Sequence, residues 1–473
     1  MRYTTSLLLL LALSAVTPGH TPFTASRPDE EPACPVARSG HRYPDFGFMP
    51  PANQYEGRVF VLSQDYPRQR PEPEKAPAVC TGDFDALKKD WKRYALEVRA
   101  YCFEGNIFGG DVEDDWRVEN NKGRRWYHIP WQHYGPNGRE GIHGLTKEAP
   151  VQPRQLAWTQ TYTGGQTYAV AFYNEYAGFT ICQVWKDHEH PAEDMKKIEF
   201  PVGTVVCKLL FVDVPPNQVP FLNPPLKWQG YVTQNYQSTS RSIRDLALIQ
   251  MDVMIRHQNA PLGWVFGTYQ YNGRRKGAGG NLWDNLIPVG LQWGNDPDVK
   301  DDTSNPQPVR TMINPRLQET VVNPDTDELP PTHLGWNGRL NGPVDNPMSS
   351  CMSCHMTAST PQRFQISPLF ERDPPAPGSD EWMRWFKNLR CGERFDSRSL
   401  ATDFSLQMAI SLQNFRSWRN EGSKILASRY RSTRVPARIK DPKSPAPYTK
   451  RMQSADEPRE VEIRRNELPQ PNP

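Results

Sequence analysis

The sequence predicts an α+β fold that is mainly β: an antiparallel sheet domain with short helices and many proline-rich loops. Three observations lead there. Short segments rich in valine, isoleucine and aromatic residues, bounded by Gly, Pro and Asn, crowd the middle of the chain. Helical periodicity is confined to one stretch before them and to short stretches near the C-terminal end. The 47 prolines among 473 residues are roughly twice the usual share, which favours loops over long helices.

Taken in order, residues 1–19 (MRYTTSLLLLLALSAVTPG) read as a cleavable signal peptide. Arg2 supplies the positive end, and Ser6 to Val16 form an apolar run too short to span a bilayer comfortably. Thr17-Pro18-Gly19 then offers the small, helix-breaking residues that suit cleavage. A periplasmic or secreted protein is expected, with no transmembrane anchor after signal cleavage. Residues 20–82 read as a proline-rich extended arm with one apolar run, GRVFVLS.

Residues 83–154 hold a helix and an aromatic, histidine-rich loop. In DFDALKKDWKRYALEVRAYCFEGNIF, Leu87, Trp91, Tyr94, Leu96, Val98 and Tyr101 fall mostly on one face, with Asp83 as N-cap. In the loop, His128, His133 and His143 stand among Trp126, Tyr127, Trp131 and Tyr134. Such a loop either lines a pocket or packs its rings on the sheet.

Residues 155–430 form the main domain. TYAVAFYNEY, GFTICQVW, GTVVCKLLFVDV, DLALIQMDVMI and GWVFGTYQY read as five strands. Past Asn285 the chain is loop-like as far as NPMSSCMSCHMTAST; DEWMRWFKNLR and TDFSLQMAISLQNFRSW then suggest two short helices, or a helix and a strand. The proline-rich, charged residues 431–473 are expected to be disordered.

A formal net charge of +3, with no basic block interleaved with aromatics, argues against nucleic acid as a partner. Oligomeric state is not legible. Of the eight cysteines, Cys34, Cys80, Cys102, Cys182, Cys207 and Cys391 can pair in an exported protein, with Cys182–Cys207 and Cys80–Cys102 the leading pairs. Each also reads as a small buried apolar residue.

Cys351 and Cys354 differ because His355 follows directly, giving Cys-x-x-Cys-His. Chance would produce that order about 0.003 times in a chain of this composition. The chemistry explains the spacing: two thiols add to the vinyl groups of haem, and the adjacent imidazole turns onto the iron. A zinc site needs two more ligands at similar spacing, and a thioredoxin-like Cys-x-x-Cys sits between a strand and a helix; neither setting is evident. One covalent haem c, with its iron on His355, is the expected cofactor.

With the motif placed, FPVGTVVCKLLF (Phe200 to Phe211), LIQMDVMIRHQNAPLGWVFGTYQY, CMSCH and TDFSLQ, in that order, resemble the signature of the cytochrome P-460 family and its relative, the β-sheet cytochrome c′. Those proteins carry Phe-Pro-x-Gly-Thr followed by a lysine, then Gly-Trp-x-Phe-Gly, then a late Cys-x-x-Cys-His before Asp-x-Val-Phe. The resemblance covers roughly Tyr168 to Met408, with long insertions here, notably between Tyr271 and Met348. It implies a mostly β haem pocket with His355 proximal and often an open distal side. In cytochrome P-460 a lysine is cross-linked to the macrocycle and hydroxylamine is oxidised; the c′ relatives bind nitric oxide. Lys208 stands at the lysine position, whereas Thr402-Asp403-Phe404-Ser405 departs from the last phrase.

The sixth iron ligand separates the functions. Met408 lies at a separation from Cys354 that suits a methionine ligand, though SLQMAISL also reads as helix core; His333, His257, His128 and His133 are further candidates. Trp264, Phe266 and Phe211 would be apolar gatekeepers of an open pocket or ordinary sheet core, and Asp252 or Glu175 an acid or base near the iron. Three classes follow. The first is an exported monohaem cytochrome passing single electrons to a redox partner protein or small-molecule oxidant or reductant. The second is an open-site haem enzyme or gas-binding protein acting on small nitrogen oxides or peroxide. The third is a disulfide-bearing interaction protein without haem.

Overall fold

The computed structural model describes residues 48–429 apart from 61, 108–115, 133–137, 158–164, 234–237, 239, 276–280, 301–312, 326–327 and 330–333. The expected signal peptide, His133, Tyr134, His333 and the expected C-terminal tail lie outside the described residues. Among the described residues, no helix is long and apolar enough to cross a membrane.

Eight strands form one sheet: β1 (Thr146–Pro150), β2 (Gln166–Tyr173), β3 (Val205–Val212), β4 (Lys227–Thr233), β5 (Arg241–Arg256), β6 (Trp264–Tyr271), β7 (Leu286–Gln292) and β8 (Thr320–Val322). The order is β1-β2-β3-β5-β6-β7-β8, with β4 also paired to the long β5, and every pairing is antiparallel. The fold is therefore mainly β, as expected. Four of the five expected strands are present. β7 and β8 come from sequence that reads as loop; Pro288 interrupts the pattern, and it sits at the register shift where β7 pairs with β6.

Directly paired residues share a face of the sheet, so the register sorts the side chains. Lys208, Asp252 and Thr268 form one cross-strand row, and Val206, Met254, Phe266 and Gln292 the next on the same face. Phe172, Cys207, Val253 and Gly267 form a row on the opposite face. Both faces are covered, which is why β2, β6 and β7 are buried at every position and read as unbroken apolar runs.

The second face packs on α1 (Ala78–Thr81), α2 (Phe84–Lys89) and α3 (Trp91–Phe103), with Cys80, Leu87, Tyr94 and Val98 in a shared core. Asp83 caps α2 as expected, accepting from the Asp85 amide at 3.0 Å. The single expected helix is broken at Asp90 (φ −125°, ψ 52°), and Leu96 is exposed. The GRVFVLS run is stitched into this layer: Phe60 and Leu62 are buried, and the Phe60 amide donates to Ile142 O at 3.2 Å.

GFTICQVW is not a strand. It lies in α4 (Glu175–Val184), started by Asn174, whose side chain accepts from the Ala177 amide at 3.2 Å. Almost every residue of α4 is buried, so no polar face marks its period. The first face is closed by α4 and by the C-terminal third of the chain: α5 (Cys351–His355), β9 (Ser359–Thr360), α6 (Asp380–Met383), β10 (Leu400–Ala401) and α7 (Leu406–Arg429).

This layering corrects both expected disulfides. Cys182 is disulfide-bonded but not to Cys207, which is free. Cys182 belongs to the core on the first face and Cys207 to the core on the second, so the sheet stands between them. Cys80 and Cys102 are also free; Cys102 lies in hydrogen-bond contact with Cys207 instead.

Candidate functional site

Cys-x-x-Cys-His forms the one-turn helix α5, fixed from several sides. Ser350 and Ser353 make a reciprocal capping box: the Ser353 amide donates to Ser350 Oγ at 3.1 Å and the Ser350 amide to Ser353 Oγ at 2.7 Å. Gln292 of β7 accepts from the Met352 amide at 3.1 Å, and the Cys351 amide donates to Leu340 O at 3.0 Å. Such a short helix has little stability of its own. Its position is therefore set by the sheet and the loop before it.

His355 Nδ1 lies 2.8 Å from the carbonyl oxygen of Phe404. A carbonyl can only accept, so Nδ1 carries the proton and the lone pair is on Nε2. Burial pulls the imidazole down to about 4, against a smaller upward pull from the Phe404 bond, so the ring is neutral at neutral pH. Phe266 of β6 packs 5.2 Å from the ring, between centroids.

Cys351 and Cys354 are free thiols. Burial pushes Cys354 up to about 12 and Cys351 well above the ordinary thiol range, with Asp252 and Asp345 adding to the Cys351 shift. No group of three or more metal-ligating side chains occurs among the described residues.

Across from α5 the sheet presents charge. Lys208 Nζ pairs with Glu148 Oε1 at 3.0 Å and faces Asp252 across the β3–β5 pairing. Gln250 Nε2 donates to both oxygens of Asp252 (3.0 and 2.8 Å) and to Asp345 Oδ2 (2.9 Å). Thr268 Oγ1 donates to Asp252 Oδ1 at 2.9 Å and lies 3.5 Å from Cys351 Sγ. Cys354, His355, Lys208, Asp252 and Asp345 are each half-buried.

Three carboxylates share one lysine here, so they cannot all ionise without cost. Burial, then Asp345, raises Asp252 to about 7, against the opposing pull of Lys208. An acid raised in the folded state favours folding below about pH 4, and that contribution is lost as pH rises towards about 7. Asp252→Asn should therefore match the wild type near pH 4 and exceed its stability by on the order of 2 kcal/mol at pH 8. Thermal unfolding across pH 4–8 checks this; an unchanged difference at the two ends would contradict the buried-acid assignment.

The other expected site residues are placed as follows. Trp264 shares the face of Phe266, and its Nε1 donates to Asp403 Oδ1 at 3.1 Å. Met408 is fully buried in the first turn of α7, its amide donating to Ser405 Oγ at 3.2 Å, next to the Phe404 carbonyl that holds His355. Phe211 stacks on Trp228 (4.5 Å between centroids) in the second-face core, and His257 lies there against Phe84 at 5.6 Å. His128 has Gln64 at Nε2 and Arg139 at Nδ1, 3.2 and 3.1 Å away, and His143 stacks on Trp228 at 4.5 Å. Glu175 is exposed at the start of α4.

Sequence reasoning missed Glu148, Gln250, Asp345, Gln292 and the Phe404 carbonyl. Of these, only Gln250 had a signal, because the period of β5 puts it on the same face as Asp252. Comparison with family models, curated proteins and solved structures finds no match for this chain.

Proposed function

We propose that the protein is an exported monohaem c-type cytochrome in which Cys351 and Cys354 hold the haem and His355 ligates its iron. The observation that carries this is a histidine fixed through Nδ1 by the Phe404 carbonyl, which leaves the lone pair on Nε2, with two free cysteines on the same helical turn. When bound, haem c supplies one-electron iron chemistry. The chain's part would be to orient His355 through Phe404 and to seat Phe266 against the imidazole. Electron exchange would be with a redox partner protein or a small-molecule oxidant or reductant.

A second reading, an open-site haem enzyme or gas-binding protein of the P-460 or c′ kind, is favoured by one feature. Lys208, Asp252 and Asp345 put a proton donor and acceptor set beside Cys351, where a carrier would need none.

His355→Ala tests the ligand assignment. The haem should stay attached through both cysteines while the native visible spectrum is lost, and an unchanged spectrum would remove His355 from the iron. In the wild type, a reduced spectrum that ignores carbon monoxide and nitric oxide supports the carrier; one that shifts with them supports the second reading.

A further inference from the structure

Thr402 to Ser405 form a tight loop whose backbone is costly. Asp403 (φ +48°) and Phe404 (φ +65°) are consecutive non-glycine residues in the left-handed region. Side chains disfavour that region, so two in a row persist only where the surroundings over-determine them. The surroundings here converge on one carboxylate. Asp403 is 1% exposed, its Oδ2 accepts from the Phe200 amide at 2.7 Å, and its Oδ1 accepts from Trp264 Nε1 at 3.1 Å and the Gly392 amide at 2.8 Å. The loop is closed by the Ser405 amide to Thr402 O at 3.0 Å, and the Thr402 amide ties it to Ala358 O at 3.0 Å, three residues past His355.

The consequence is at Phe404. The left-handed pair turns the Phe404 carbonyl back onto His355 Nδ1 at 2.8 Å. We propose that Asp403 is a positioning residue: by holding this strained loop, it aims the Phe404 carbonyl that fixes the orientation and tautomer of His355. This rests on His355 being the iron ligand. No other side chain of the loop bonds to three separate elements, namely the β6 indole and the amides of Phe200 and Gly392. A metal-bound histidine becomes a stronger donor when its other nitrogen is hydrogen-bonded, so the strength of the Nδ1 bond is read in the iron's potential.

The test is redox titration of the purified holo-protein and its Asp403→Asn variant. The variant should keep its covalent haem, because both thioethers are untouched. Its reduction potential should rise, because a loosened Phe404 carbonyl leaves the imidazole a poorer donor and favours ferrous iron. Trp264→Phe, which removes one of the three donors and keeps an aromatic ring, should shift the potential the same way by less; it carries the test should Asp403→Asn fail to fold. Potentials equal to wild type in the folded variants overturn the positioning role. A wild-type protein without bound haem overturns the reading beneath it, and the two failures are told apart before any variant is made.

Discussion

The double variant Cys351→Ser, Cys354→Ser is expected to carry no covalently held haem, while each single variant keeps one attachment. Both cysteines are free and sit on one turn of helix, the spacing that two thioether bonds to one haem require. Serine oxygen does not form the thioether, but it fits the space, and at position 351 its hydroxyl can donate to Thr268 Oγ1, which lies 3.5 Å from Cys351 Sγ. The fold should therefore survive. Acid–organic extraction separates the outcomes: haem leaves the double variant and stays with the wild-type polypeptide. Retention in the double variant would place the attachment elsewhere, with Lys208 the first residue to examine.

Arg339→Ala should cost about 3–5 kcal/mol of folding stability, the largest effect expected away from the cysteines. Arg339 is fully buried. Its Nε donates to Asn295 O at 2.7 Å, Nη2 to Asp296 O at 2.7 Å and to Val299 O at 2.8 Å, and Nη1 to Trp336 O at 3.2 Å. The guanidinium lies 4.9 Å from the ring centroids of both Trp336 and Phe386. Truncation strands four carbonyls and opens a cavity between aromatic rings. Lysine restores the charge but not the planar fork, so Arg339→Lys should recover little. Urea denaturation of the two variants measures this, and a lysine variant as stable as wild type would refute the fork argument. Leu340, the next residue, supplies the carbonyl that receives the Cys351 amide, so haem incorporation should fall with stability.

Much of the sheet was legible because β2, β3, β5 and β6 are apolar runs bounded by turn residues. The α4 segment was misread for the same reason: a helix buried all round loses the polar face that distinguishes it from a buried strand. Arg339 was invisible because its role depends on four carbonyls from two loops, and loop conformation has no periodic signature. The Cys-x-x-Cys-His spacing was legible because its chemistry is local. The groups opposite it were not: Lys208 and Asp252 lie 44 positions apart, and Asp345 reaches them from a loop, with Gln250 bonded to both aspartates. The β-strand period gave each residue's face, but only the register could show which residues meet. Asp403 marks the same boundary. The sequence showed a departure from the expected Asp-x-Val-Phe phrase, and the fold makes that departure the loop that holds His355.

The central claim is that this chain carries haem covalently at Cys351 and Cys354 with His355 on the iron. Visible absorption together with intact mass on the protein exported from a host competent in c-type haem attachment tests it most directly. The account predicts a Soret band and a polypeptide heavier by one haem after denaturation. A protein of unmodified polypeptide mass with no Soret band would contradict it.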